Sequence, residues 1–291
     1  MLVDERRYVI RFGCPDRRGI VARIASFLAD AGGWIVEAAY HTDRDSNWFF
    51  TRQEVLANSL PFDVDELRSQ FTAVARELGA NADWRISDTA ERRKIVVLVS
   101  REGHCLYDLL GRVAARELDV DISAVIGNHL ALADITRAHG IPFFYVPFPP
   151  NDPDGRGAAF AQLAQLVDSH HPHAVVLARF MQVLPPELCA AWAGRALNIH
   201  HSFLPSFAGA RPYHQAHARG VKLIGATCHY VTAELDAGPI IEQDVTRIHH
   251  RDSVADLARK GRDIEKVVLA RGLRWHLEDR VLLHGNHTVI L

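Results

Sequence analysis

Between residues 94 and 202, short runs of branched apolar residues recur, each separated from the next by a helix-length segment. The runs are "KIVVLVS", "DISAVIGN", "PFFYVPF", "HAVVLARF" and "ALNIHHS". A strand such as "IVVLV" has no polar face to offer to water, so it must be covered on both sides. Parallel strands with helices on either face of the sheet meet that requirement. The helices come from "HCLYDLLGRVAAREL", "LALADITRAHG", "AAFAQLAQLVDSH" and "PPELCAAWAG". Downstream, "KLIGATCHYVT" and "PIIEQDVTRI" read as strands and Ser253 to Arg280 as a long helix. "RVLLHGNHTVIL" reads as a hairpin turning at Gly285-Asn286.

The first eighty-odd residues follow another rhythm. "RYVIRFG" is an apolar strand, and "CPDRRGIVARIASFLADAGG" is a helix with Asp16 as its cap and Gly32-Gly33 as its end. "WIVEAAYHTD" and "NWFFTRQEVL" are strands joined by a short turn. "DVDELRSQFTAVARELGA" is a helix with Leu67, Phe71, Val74 and Leu78 on one stripe, and "DWRISD" is a last strand. The order is βαββαβ, a small sheet with helices on one face. The charged stretch "DTAERRK" then breaks the pattern. The expected α/β architecture is therefore a domain over 1–88, a linker over 89–93 and a Rossmann-like domain over 94–291.

Composition removes several classes of function. A net charge of -2, with Arg and Lys scattered, provides no electrostatic footprint for nucleic acid or an anionic membrane surface. No stretch reaches the length of a membrane span, and "MLVDERRYVI" lacks the apolar core of a signal peptide. Cys14, Cys105, Cys189 and Cys228 lie far apart, which reads as reduced thiols in the cytoplasm. Seventeen histidines include adjacent pairs, but neighbours in a strand face opposite ways, so no metal site is expected.

Polar side chains concentrate at one strand end. "ALNIHHSFLPSF" places Asn198, His200, His201 and Ser202 where the chain leaves the sheet, the position at which open α/β sheets take ligands. "GATCHYVTAELDAGPIIEQ" puts Thr227, His229 and Val231 on one strand face and Asp236 in the tight loop that follows. Polar residues at a strand end also serve simply to turn the chain back to water. Together, however, an amide N–H and an imidazolium are donors suited to an oxyanion, and a carboxylate beside them can move a proton. Ser202 has no evident activating partner and no Gly-x-Ser-x-Gly elbow exists, so the set suits direct attack on a carbonyl by water or an amine.

"NIHHSFLPSF" followed by "HYVTAELDAGPII" resembles the catalytic signature of the folate-dependent formyltransferase fold, which includes the glycinamide ribonucleotide and methionyl-tRNA formyltransferases. The resemblance covers most of residues 93–291 and implies a catalytic triad of Asn198, His200 and Asp236. It implies that "FMQVL" receives a pterin ring through Met181, Gln182, Val183 and Leu184, with His229, Val231 and His201 completing the substrate site. Two departures stand out: the loop "SREGHCLYDLL" is not the Gly-Ser-rich phosphate loop of the glycinamide transferases, and His201 replaces a usual Pro. The acceptor groove is therefore altered.

The N-terminal unit, with "CPDRRGIV", resembles an ACT domain, which is ferredoxin-like. With "HCLYDLL", "FFTRQE" and "GARPYHQAHARGVKLIGAT", the whole chain is similar to the formyltetrahydrofolate deformylase family. What that implies is hydrolysis of 10-formyltetrahydrofolate to tetrahydrofolate and formate, without a cofactor, in a homo-oligomer. An amino-acid effector, methionine or glycine, would bind at Asp16, Gly19 and Ile20. Arg211 would meet either a folate glutamate tail or solvent. The alternatives are transfer of the formyl group to an amine, or amino-acid binding without catalysis.

Overall fold

A computed structural model describes residues 6–205 and 212–291. The chain divides into two compact units, one of Met1–Arg92 with Glu278–His284 and Thr288–Leu291, the other of Arg93–Leu277 with Gly285–His287.

In the first unit β1 (Arg7–Pro15), α1 (Ile20–Asp30), β2 (Ile35–Asp43), β3 (Trp48–Leu56), α2 (Val64–Leu78) and β4 (Asp83–Asp88) follow the βαββαβ order. The strands form an antiparallel sheet in the order β2-β3-β1-β4. Alternation along β1 sends Tyr8, Ile10, Phe12 and Cys14 into the core, where they meet Ile20, Ile24 and Leu28 of α1 and the Leu67/Phe71/Val74/Leu78 stripe of α2. The Asp63 carboxylate accepts from the N–H groups of Asp65 and Glu66 and so starts α2.

Asp16 does not start α1. Its backbone N–H pairs with the Asn47 carbonyl, and the cap is Gly19, at a φ of 91° that favours glycine. The C-terminal segments group with this unit and not with residues 94–277, the arrangement a domain over 94–291 would need. Arginines hold them there: Arg11 donates to the Val281 carbonyl and Arg52 to that of Glu278, while the Trp48 and His284 rings stack 4.2 Å apart.

The second unit runs β5 (Lys94–Val99), α3 (His104–Ala114), β6 (Asp121–Gly127), α4 (Ala133–Ala138), β7 (Phe143–Tyr145), α5 (Pro153–Ser169), β8 (Ala174–Ala178), α6 (Pro186–Ala191) and β9 (Ala196–His200). It continues with α7 (Pro212–Arg219), β10 (Leu223–Tyr230), β11 (Ile240–Arg247) and α8 (Val254–Leu277); β12 (Val281–His284) and β13 (His287–Ile290) make the terminal hairpin. The sheet order is β11-β10-β9-β8-β5-β6-β7. Strands β5 to β9 are parallel, and β10 and β11 are antiparallel. On one face Val96, Leu98, Val175, Leu177 and Ala196 pack with Leu163 and Val167 of α5 and Cys189 of α6. On the other, α3 and α7 pack on α8, which lies along β10. Among the described residues no helix is long and apolar enough to cross a membrane.

Two glycines separate backbone strain from helix propensity. A Cβ at either Gly19 or Gly157 meets nothing within 4 Å, yet Gly19 has positive φ and Gly157 lies inside α5. Gly19→Ala is expected to cost about 1–2 kcal/mol, and Gly157→Ala to stabilise by about 0.5–1 kcal/mol. Urea denaturation of each variant checks both signs.

Candidate active site

Strand β9 carries the polar residues on one of its faces. Ala196, Leu197 and Ile199 are buried, while Asn198 and His200, two residues apart, share a face and stay half-buried. Because β10 returns antiparallel, His229 sits directly opposite Asn198 and Thr227 opposite His200. His229 donates from Nδ1 to the Tyr230 carbonyl at 2.9 Å, which leaves Nε2 as the acceptor for the Asn198 amide at 3.1 Å. Burial keeps the His229 pKa below its ordinary value and the ring neutral.

The loop after β10 brings the carboxylate in. Tyr230 N–H bonds the Pro239 carbonyl and Val231 N–H the Ala196 carbonyl, so the segment doubles back over the strand end. Gly238 permits this, since a Cβ there would collide with the Tyr230 carbonyl oxygen. Asp236 takes a left-handed backbone, φ 55°, a conformation tolerated by Asp more than by most residues. Asn286 adds a hydrogen bond to the neighbouring Ala237 carbonyl. Asp236 Oδ1 then lies 3.3 Å from His200 Nδ1 and 3.7 Å from His229 Nε2. The hydrogen bond from His200 lowers the Asp236 pKa against the opposing effect of burial, so the group is a carboxylate at neutral pH.

The structure supplies the partner that the sequence does not show for Ser202: its Oγ lies 2.8 Å from His200 Nε2. With Nδ1–H turned to Asp236, Nε2 accepts from the Ser202 hydroxyl. A second buried network fixes the loop after β9. Thr227 Oγ1 donates to the Ser202 carbonyl and accepts from Leu204 N–H and Gln243 Nε2, and Gln243 also reaches the Leu204 carbonyl. Strand alternation places Thr227 on the His229 face, a signal the sequence carries; nothing in it points to Gln243.

The other expected residues divide. The His201 ring is centred 5.0 Å from that of His200. Leu184 is buried and Val231 packs against the same apolar cluster, whereas Met181 and Val183 expose most of their side chains. Gln182 is half-buried beside them. The Met181 N–H donates to Ser100 Oγ, which removes one of the backbone donors expected for a ligand. In the first unit Ile20 is 2% exposed and belongs to the core, so its side chain lines no effector site. Arg211 lies outside the described residues.

A cluster hidden in the sequence sits nearby. Glu265 of α8 is 1% exposed, accepts from Tyr213 Oη at 2.9 Å, and pairs with His104 Nε2 at 2.8 Å and Arg179 Nε at 3.5 Å. Burial opposes its ionisation, but the His104 hydrogen bond and the Arg179 charge hold its pKa below the ordinary value. Arg179 has a left-handed backbone, φ 63°. The ligand-type atoms of His104, Cys105 and Glu265 all lie within 4.8 Å of one another, a grouping that the wide cysteine spacing does not foretell. Burial pushes the Cys105 thiol well above its ordinary pKa, and the Arg179 guanidinium already neutralises the carboxylate, a donor set ill-suited to a cation.

The formyl transferase family model matches residues 93–273. A formyltetrahydrofolate deformylase of Corynebacterium sp. is 41% identical over 288 residues, 99% of both chains. The crystal structure of a formyltetrahydrofolate deformylase from Pseudomonas syringae pv. tomato superimposes with a TM-score of 0.96 at 56% identity, covering 100% of this chain and 96% of that one. A glycinamide ribonucleotide transformylase 1 from Symbiobacterium toebii matches 70% of this chain and 96% of its own, with a TM-score of 0.65 at 30% identity.

Burial and the charges of Arg179 and His200 depress the His201 pKa from 6.5 to about 4. The unfolded chain therefore binds the His201 proton first, so stability rises with pH between about 4 and 6.5 and is lost as pH falls through that window. At pH 4 the loss reaches up to about 3 kcal/mol. Urea melts of wild type and His201→Gln across this range are expected to differ in slope, the wild type losing stability as pH falls and the variant lacking that loss.

Proposed function

This chain belongs to the formyl transferase family and, within it, to the formyltetrahydrofolate deformylases, and on that premise we propose how it hydrolyses 10-formyltetrahydrofolate to tetrahydrofolate and formate. The observation that carries the assignment of residues is the convergence of Asn198, His200 and Asp236 at the end of β9. The formyl oxygen takes the place of Ser202 Oγ at His200, whose Nε2 binds a solvent proton to donate to it, and also accepts from the Asn198 amide. Its other wall is apolar, from Leu184 and Val231, with Met181, Gln182 and Val183 along the rim.

Asp236 is a carboxylate that keeps contact with solvent, its side chain 27% exposed. It takes a proton from a water molecule as that water's oxygen bonds to the formyl carbon. The tetrahedral oxyanion is held by Asn198 Nδ2–H and the imidazolium form of His200, fixed donors placed where charge develops. The C–N bond then breaks, the proton passes to the departing folate nitrogen, and formate leaves. No step draws on a metal or an organic cofactor. His229 acts at one remove, by orienting the Asn198 amide.

The reaction returns tetrahydrofolate to the one-carbon pool and supplies formate for purine synthesis. Our reading of the first unit is an ACT-type domain binding methionine or glycine. The backbone around Gly19 favours a small ligand's close approach, with Asp16 beside it. Edge strand β2 carries the exposed side chains of Val36 and Tyr40, with Trp34 just before it, a surface suited to pairing in a homo-oligomer. Four free cysteine thiols fit a cytoplasmic enzyme.

Purified protein given 10-formyltetrahydrofolate in amine-free buffer is expected to release formate and tetrahydrofolate in equal amounts. Asn198→Ala lowers kcat by about 100- to 1,000-fold, as loss of one oxyanion donor does. Asp236→Asn costs on the order of 10,000-fold, the loss seen when a triad aspartate becomes neutral. Ser202→Ala keeps turnover within about tenfold, since the residue yields its place to substrate and loses only a positioning contact. A formyl-enzyme adduct on Ser202, detected by mass spectrometry, contradicts direct attack by water.

A further inference from the structure

The space outside the carboxyl ends of β5, β8 and β9 is where an α/β sheet receives its ligands. Here the part of that space on the α3 and α8 side holds the protein's own side chains. His104 enters from the start of α3, Arg179 from just after β8, Tyr213 from α7 and Glu265 from α8. Glu265 engages the other three at 2.8, 2.9 and 3.5 Å. The seat is shaped for Tyr213, because a Cβ on Gly261 would collide with the tyrosine hydroxyl and ring. A buried carboxylate with three partners resists displacement, since any group pushed between them leaves a charge buried without its pair.

The cluster reaches the reacting centre through His201. His201 follows the last residue of β9, and its ring is centred 5.0 Å from that of His200 and 6.3 Å from that of Tyr213. Leu184 and Val231 line the α5/α6 side, the side on which the proposed folate lies. An amine approaching from the opposite side meets the side chains of His104, Tyr213 and Glu265.

We infer that His104, Tyr213 and Glu265 form a plug over the amine-acceptor side of the cleft, so that water and not an amine takes the formyl group. The inference rests on the hydrolase reading above and names what enforces it. Arg179 holds the plug by neutralising Glu265, and none of the plug residues touches the reacting atoms. They set specificity by filling space.

The test gives 10-formyltetrahydrofolate to wild type, Tyr213→Ala and His104→Ala in the presence of glycinamide or hydroxylamine, and measures N-formylated amine against formate. Wild type is expected to yield formate alone. In each variant the ratio of formylated amine to formate rises on the order of 10- to 100-fold, the span a reshaped pocket commonly commands, while formate release in amine-free buffer stays within a few-fold of wild type. Gly261→Ala, which drives the Tyr213 ring from its seat, moves the ratio the same way. Tyr213→Leu keeps part of the apolar filling and opens the place of the hydroxyl and the outer ring, so it stands in where the alanine variants do not fold. A ratio unchanged in variants that melt cooperatively and still hydrolyse overturns the plug. So does a wild type that formylates the amine as readily as it releases formate. Wild type with no turnover in either buffer overturns the hydrolase reading, and this inference with it.

Discussion

The amide of Asn198 donates to the one lone pair that His229 has left, and this bond depends on the register in which β10 runs back along β9. Two side chains 31 residues apart become direct cross-strand neighbours only in that register. A slip by one residue would turn His229 and Thr227 to the α8 face and place Ala226 or Cys228 opposite His200. The register is held by burial: Cys228 and Tyr230 on the other face of β10 are almost wholly enclosed, and a Cβ on Gly272 of α8 would press against the Cys228 sulfur. Packing on the helix side of the sheet therefore decides what stands at the polar end.

Asp236 follows from the same strand. The turn after β10 closes through the Tyr230–Pro239 and Val231–Ala196 backbone bonds, and only glycine at 238 leaves room for it. The left-handed conformation of Asp236 is a small local cost, offset by its hydrogen bond with His200 and the backbone ties around it. Arg179 shows the same device just after β8: an unfavoured backbone conformation turns its guanidinium to Glu265. Non-glycine residues with positive φ thus stand at both edges of the cleft, the places where a side chain must be aimed against the run of its strand.

Much of the architecture was legible because period and punctuation agree with packing. The β1 alternation, the Leu67/Phe71/Val74/Leu78 stripe of α2 and the continuous apolar runs of β5 and β8 each bury the faces their patterns announce. The misreadings are local. Asp16 looked like a cap because Asp favours helix starts, but Gly19 admits a left-handed turn that delays α1 by a few residues. The terminal hairpin follows α8 in sequence, yet residues 281–284 and 288–291 group with the first unit, through Arg11 and Trp48, and only its turn, Gly285–His287, groups with the second.

At the site, residue type picked out Asn198, His200 and Asp236 as polar groups near one strand end, the family resemblance added His229, and the structure brings the four side chains together. The sequence by itself determined the order of elements, the apolar layers and the chemical groups available at the end of β9. Only the tertiary structure decided that Ser202 engages His200, that Gln243 and Thr227 clamp the loop, and that Glu265 gathers His104, Arg179 and Tyr213. The physical reason is range. Hydrophobic period and turn chemistry act over a few residues and are written locally, but a buried ion cluster or a cross-strand hydrogen bond joins side chains dozens to more than a hundred positions apart. Those partners are selected by the packing of the sheet and its helices, which no single segment encodes.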